Sequence, residues 1–206
     1  MNPEPRSAPD WRTFGLCAAV VFMVSLDATV VVAAYPALRR HFGDATPAAL
    51  SWTLNGFSIV YAALLIAAGQ LADRFGRKRF FLVGLAVFTG ASAACAWAGS
   101  AAWLVAARVV QGVGGALLTP ASLALILAGF PAAKRQQAVG LWSAVGALAA
   151  AFGPVAGSAL IEGASWRWIF LINLPVGLVA WGWGYARLGE SKGDTPEVRF
   201  DLLGTG

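Results

Sequence analysis

Gly69-Gln70-Leu71-Ala72-Asp73-Arg74-Phe75-Gly76-Arg77-Lys78-Arg79 is a short polar stretch between two long apolar runs. It holds four of the chain's fifteen Lys and Arg residues, with one carboxylate among them. A basic hinge between two such runs predicts a tight loop on the cytoplasmic side of a membrane. Its glycines mark where the backbone must turn or lie close to a neighbour. A solvated basic loop would only set topology. The order of the residues argues for more.

Outward from this hinge the chain is 58% hydrophobic and only 12% charged, with a mean hydropathy of +0.68. A soluble domain carries about 25% charged residues, so folding in water would leave too much apolar surface. The polytopic membrane class follows, with the lipid bilayer as the first partner. The net charge of +5 does not indicate nucleic acid, because six of the fifteen basic residues lie in two short loops and none form a long stripe. Cys17 and Cys95 fall inside apolar runs and read as small buried hydrophobes, not as a disulfide. His41 is the only histidine, and no CxxC, GxxxxGK[ST] or HExxH pattern occurs, so no metal site is expected. Gly112-Val113-Gly114-Gly115 lacks the preceding strand of a phosphate cradle. No nucleophile–base constellation appears, which argues against an enzyme.

Residues 1–12, with Pro3, Pro5 and Pro9, read as a disordered cytoplasmic tail. Six apolar runs follow, at 13–35, 52–71, 80–99, 103–128, 138–161 and 168–186. Each is near the roughly 20 residues that span a bilayer. Pro36 is expected to close the first. The fold class is therefore an all-α membrane protein whose six transmembrane helices fill residues 13–186, followed by a cytoplasmic linker over 187–206. Eleven basic residues fall on the side of the N-tail, the 2–3 and 4–5 loops and the C-tail, against three opposite (Arg39, Arg40 and Arg167). That asymmetry places both termini in the cytoplasm of a multi-pass cell-membrane protein.

Asp27 and Arg108 are the only carboxylate and guanidinium deep inside these runs. Each costs at least about 2.5–3.5 kcal/mol at a helix centre, so such residues face a cavity or each other. At about 1.5 Å per residue the two stand at a similar depth, a little outside the midplane. On the fourth helix Arg108, Gln111, Gly115, Thr119 and Ser122 share one face, which suggests a wetted cavity wall. Two readings stay open. The pair either fixes helix packing alone, or Asp27 gains and loses a proton.

The quoted hinge, as Gly-x-Leu-x-Asp-Arg-x-Gly-Arg-Lys, resembles the loop between helices 2 and 3 of major facilitator superfamily transporters. Gly69, Asp73, Arg74, Gly76, Arg77 and Lys78 stand where that motif wants them. Leu26-Asp27-x-Thr29-Val30-Val31 resembles the first helix of the EmrB/QacA-like branch of fourteen-helix drug:proton antiporters. Arg108-Val109-Val110-Gln111-Gly112-Val113-Gly114-Gly115-Ala116 resembles the family's helix 4 motif. Trp166-Arg167-Trp168-Ile169-Phe170-Leu171-Ile172-Asn173-Leu174-Pro175-Val176-Gly177 is similar to the lead-in to helix 6 of the same branch. Gly153-Pro154-Val155-Ala156-Gly157 resembles the antiporter motif of helix 5, with Ala149 and Ser158 in place of its outer glycines.

The resemblance implies the N-terminal half-bundle of a major facilitator fold, built from two inverted three-helix repeats. It implies proton-driven efflux of drugs or antibiotics, with no cofactor beyond the proton gradient. Asp27, Arg108, Gln111 and Thr119 would serve proton coupling or the substrate cavity, for a small amphipathic or cationic substrate. The hinge would drive conformational change, with Asp73 meeting a helix of the other half. Gly153, Pro154 and Gly157 would form the antiporter helix. It also implies a C-terminal half that this stretch does not supply, and Phe200-Asp201-Leu202-Leu203-Gly204 looks like a lead-in to a seventh span, so a partial product is expected. An exporter of one metabolite and a non-transporting membrane module are the alternatives.

Overall fold

The computed structural model describes residues 8–191. Within them lie six helices long and apolar enough to cross a membrane: α1 (Trp11–His41), α2 (Pro47–Phe75), α3 (Arg77–Ala96), α4 (Ala101–Gly129), α5 (Ala132–Gly163) and α6 (Trp168–Arg187). The last is interrupted at Ile172, between a single turn over Trp168–Leu171 and a longer segment over Asn173–Arg187. The expected count of spans is met and the chain is an all-α, multi-pass membrane protein.

The ends differ from the hydropathy reading because polar turns extend the apolar runs. Asp10 caps α1 by accepting from Thr13 N at 3.1 Å, so Trp11 and Arg12 belong to the helix and not to the tail. Residues 1–7 of that tail and 192–206 of the linker, including 200–204, lie outside the described residues. Pro36 does not close α1, which continues to His41. A proline removes one helical hydrogen bond and need not end a helix held by its neighbours. Arg39, Arg40 and His41 form its last turn, where positive charge suits the helix dipole. Thr46 and Ser100 cap α2 and α4 by accepting from Ala49 N and Trp103 N.

The basic stretch is a corner, not a loop. Residues 69–75 finish α2, Arg77 begins α3, and Gly76 alone turns the chain at φ 124°. Only glycine adopts that conformation readily.

α4 packs along both α2 and α3, while α1 packs along α5 and crosses α4. The first helix of each three-helix repeat thus lies on the second helix of the other. Glycines permit these close crossings. A Cβ on Gly112 would sit 2.7 Å from the Phe57 carbonyl oxygen of α2, and one on Gly114 would sit 2.6 Å from the Phe88 nitrogen of α3. Ala149, Gly153 and Gly157 recur every four residues on the buried face of α5, and the two glycines press on Thr29 and Val30 of α1. Pro154 and Ser158 point away and are exposed, so Ser158 takes no part in that contact.

Two apolar clusters make up the core. One includes Val24, Phe57, Phe88 and Leu118, the other Val30, Cys95, Leu104, Ala107 and Phe170. Asp27 falls between Val24 and Val30, Ser92 between Phe88 and Cys95, and Arg108 and Gln111 between Ala107 and Leu118. A polar layer is therefore enclosed between two apolar ones.

Candidate functional site

The polar layer draws on five helices. The Arg108 guanidinium donates through Nη1 to Asp27 Oδ2 at 2.5 Å and to Gln111 Oε1 at 2.7 Å. Its Nε donates to the Thr53 carbonyl of α2 at 3.0 Å. Asp27 Oδ1 accepts from Gln111 Nε2 at 3.0 Å and from Asn173 Nδ2 of α6 at 2.7 Å. Both amides also donate to Ser92 Oγ of α3, at 2.7 Å and 3.2 Å. Asp27, Ser92, Arg108, Gln111 and Asn173 are at most 1% exposed. An ion pair so enclosed persists only because hydrogen bonds satisfy its remaining polar atoms. Arg108 Nη2 is the exception, buried without a partner among the described residues. Part of its solvation is replaced by rings: the guanidinium carbon lies 4.2 Å from the centre of Phe57 and 5.9 Å from that of Phe170. Phe57 in turn stacks on Tyr61 at 5.8 Å.

The similar depths read from the sequence for Asp27 and Arg108 correspond to direct contact. Of the stripe read as a cavity wall, Arg108, Gln111, Gly115 and Ser122 are buried and Thr119 is half-buried. Arg108 and Gln111 turn inward to Asp27, and the lower part of the stripe is taken up by side-chain bonds. Thr119 Oγ1 donates to Gly115 O at 3.1 Å and accepts from Tyr61 OH at 3.0 Å. Ser122 Oγ accepts from Trp142 Nε1 at 3.3 Å. Tyr61 of α2 and Trp142 of α5 thus bond to this part of α4.

Sequence reasoning missed Asn173, Ser92 and Thr53. For Asn173 a signal existed. It is the one amide in α6, well inside an otherwise apolar run, where an unsatisfied amide would be costly.

At the corner, Asp73 Oδ1 accepts from Arg77 Nε at 2.7 Å, one turn on. The carboxylate stands at the negative end of α2, and Arg77 offsets that placement. Arg74 lies 5.3 Å from the Phe75 ring, and Gly69 packs on Pro120 of α4. α3 has no side-chain cap of its own. Its first N–H groups are met by the chain after α6: Arg77 N donates to Ser191 O at 2.9 Å and Lys78 N to Glu190 Oε1 at 3.1 Å. Lys78 Nζ also donates to Tyr185 O at 2.9 Å. A Cβ on Gly76 would lie 2.8 Å from the Glu190 carboxyl, so this docking needs the glycine too.

Residues 17–201 match the family description Major Facilitator Superfamily. The chain is 40% identical over 94% of its length to the tetracenomycin C resistance and export protein of Streptomyces glaucescens, covering 36% of that protein. It is 41% identical over 84% of its length to the methyl viologen resistance protein SmvA of Salmonella typhimurium, covering 35% of it. The chain therefore spans about a third of the length of these relatives. The fold resembles the crystal structure of a bacterial homolog of the human lysosomal transporter Spinster, inward-facing and unoccupied, with a TM-score of 0.66 at 21% identity. That likeness covers 97% of this chain and 48% of the other.

Proposed function

The chain belongs to the Major Facilitator Superfamily, and from that premise we propose that it forms the N-terminal half of a proton-coupled exporter of small amphipathic or cationic molecules. The observation that carries this reading is Asp27: one carboxylate at the centre of an apolar bundle, held by a single guanidinium and two amides. An ionisable group inside a membrane bundle commonly marks a proton or substrate pathway, and Asp27 would exchange its proton when a conformational change lets water in. Resistance to methyl viologen in one relative supports cationic substrates. A narrower reading, export of one antibiotic, is favoured by the relative named for tetracenomycin C.

The second half would lie against α2 and α5. In their most apolar stretches only 17% of the residues of α2 and of α5 are buried, against 56% in α1 and α4. Asn55 and Ser58 of α2 and Ser143 of α5 are exposed polar residues within those spans. Lipid gives them no partner, whereas a facing half-bundle or a wet cavity does. Gly69, Asp73, Arg74, Gly76, Arg77 and Lys78 then sit at the inner edge of that seam, where Asp73 would meet a helix of the other half during closure. Gly153, Pro154 and Gly157 would hold α5 against the Asp27 helix through the cycle.

The test is efflux from inverted membrane vesicles carrying the complete exporter. Added substrate is expected to dissipate a preformed proton gradient, and an uncoupler to stop substrate uptake. Uptake that ignores the uncoupler would rule the coupling out. Protection against several unrelated cations would favour the broad exporter, and protection against one compound the narrow one.

Both termini are assigned to the cytoplasm by the eleven-to-three split of basic residues. Asp44 and Gln136 are exposed at opposite ends of the bundle, and both native cysteines are buried. An impermeant thiol reagent on whole cells should label Asp44→Cys and spare Gln136→Cys. The reverse pattern would invert the topology.

A further inference from the structure

Asp27 receives three donors: Arg108 Nη1, Gln111 Nε2 and Asn173 Nδ2. All three suit the carboxylate. If the aspartate takes up a proton, its new O–H needs an acceptor, and one donor must give way. Arg108 has no acceptor to offer. Gln111 is fixed in its present sense, because its Oε1 accepts from Arg108 at 2.7 Å. Turning that amide would set its NH2 against the guanidinium. Asn173 alone is free of that constraint. The two ends of its amide are nearly isosteric, so half a turn puts Oδ1 where Nδ2 stood, without repacking.

Ser92 favours the same turn. Its Oγ accepts from Gln111 and from Asn173, and no acceptor for its own hydroxyl proton is found among the described residues. A reversed Asn173 would accept from Asp27 and from Ser92 together.

We propose that Asn173 is a positioning residue that follows the protonation state of Asp27, giving N–H to the carboxylate and C=O to the acid. A hydronium ion from the acidic compartment gives up one proton to Asp27 Oδ1 and leaves as water, and the Asn173 amide exchanges a donated hydrogen bond for an accepted one. Of the charged or titratable groups facing Asp27, α4 supplies Arg108 and α3 the Cys95 thiol, which donates to Gln111 Oε1 at 3.7 Å. α2 offers the Thr53 carbonyl, α6 offers Asn173, and α5 presents glycines to α1. Asn173 opens the longer segment of α6, directly after the break at Ile172, so α6 stays tied to Asp27 in both states.

This inference rests on the proton-coupling reading, and infrared difference spectra of the reconstituted, complete exporter separate the two. Acidification should raise a carboxylic C=O band that is lost when Asp27→Asn is combined with Arg108→Gln. In Asn173→Leu, with the same branched heavy-atom skeleton but without hydrogen bonds, that band should move to higher wavenumber, because the acid loses its acceptor. A change confined to stability would leave the band in place. In the unsubstituted protein with 13C-labelled asparagine, a labelled side-chain amide band should move to lower wavenumber as the Asp27 band appears. This second measurement stands even if Asn173→Leu does not fold. An Asp27 band with no shift in Asn173→Leu, or no accompanying amide shift, overturns the role of Asn173 alone. No band from Asp27 at any pH overturns the proton-coupling reading and this inference with it.

Discussion

Asp27→Asn is expected to abolish proton-driven export, and to destabilise the bundle by about 3–5 kcal/mol, because it leaves Arg108 charged and unpaired in the interior. Loss of transport in that variant alone would therefore be ambiguous. Combining Asp27→Asn with Arg108→Gln removes both charges, so no uncompensated ion is left in the interior. The double variant should recover most of the lost thermal stability yet remain uncoupled, since neither amide titrates. The measurements are unfolding in detergent and proton-gradient-driven uptake in vesicles, on both variants. Recovery of stability and coupled transport together would make the pair a packing device. Arg108→Lys keeps the charge but loses the fork that reaches Asp27, Gln111 and Thr53 at once, so it should fall between the two.

The second large effect belongs to Gly114→Ala. The added carbon would meet the Phe88 nitrogen at 2.6 Å and its Cα at 2.8 Å. Both are backbone atoms inside α3, so no rotamer change relieves the contact. Overpacking of this kind costs about 1–3 kcal/mol. Gly140→Ala is the matched control, since nothing lies within 4 Å of that position. Alanine there should stabilise α5 by up to about 1 kcal/mol, by restricting the unfolded chain. Thermal unfolding in detergent should move in opposite directions for the two. Equal and small shifts would mean that the α3–α4 crossing is looser than the structure shows.

Hydropathy found the spans because lipid demands long apolar runs, and the runs are long here. It misjudged their ends, since Arg77 to Arg79 and Lys134 to Arg135 are helical although polar. Composition speaks for solvent and not for backbone conformation. Pro36 looked like a stop, but a helix gripped along its length tolerates one missing bond. Asp27 and Arg108 stood out because ionised groups are rare in lipid. Their partners were harder to see. Threonine and serine hydroxyls bond readily to their own helix, as Thr53 does to the Leu50 carbonyl, so their presence in a span signals little. Which helix faces Asp27 depends on registers set 81 to 146 residues away. No local pattern records that.

The docking of Glu190 and Ser191 on the start of α3 also bears on how the protein is made. Lys78 waits for a partner 112 residues further along the chain. At about 5–20 residues per second of synthesis, the interval is about 6–22 s. Throughout it the N–H groups that open α3 are left to water or lipid headgroups. The first hairpin to leave the ribosome is thus finished by the residues that follow α6, and a nascent chain halted between residues 187 and 190 has all six spans synthesised with the start of α3 still unsealed.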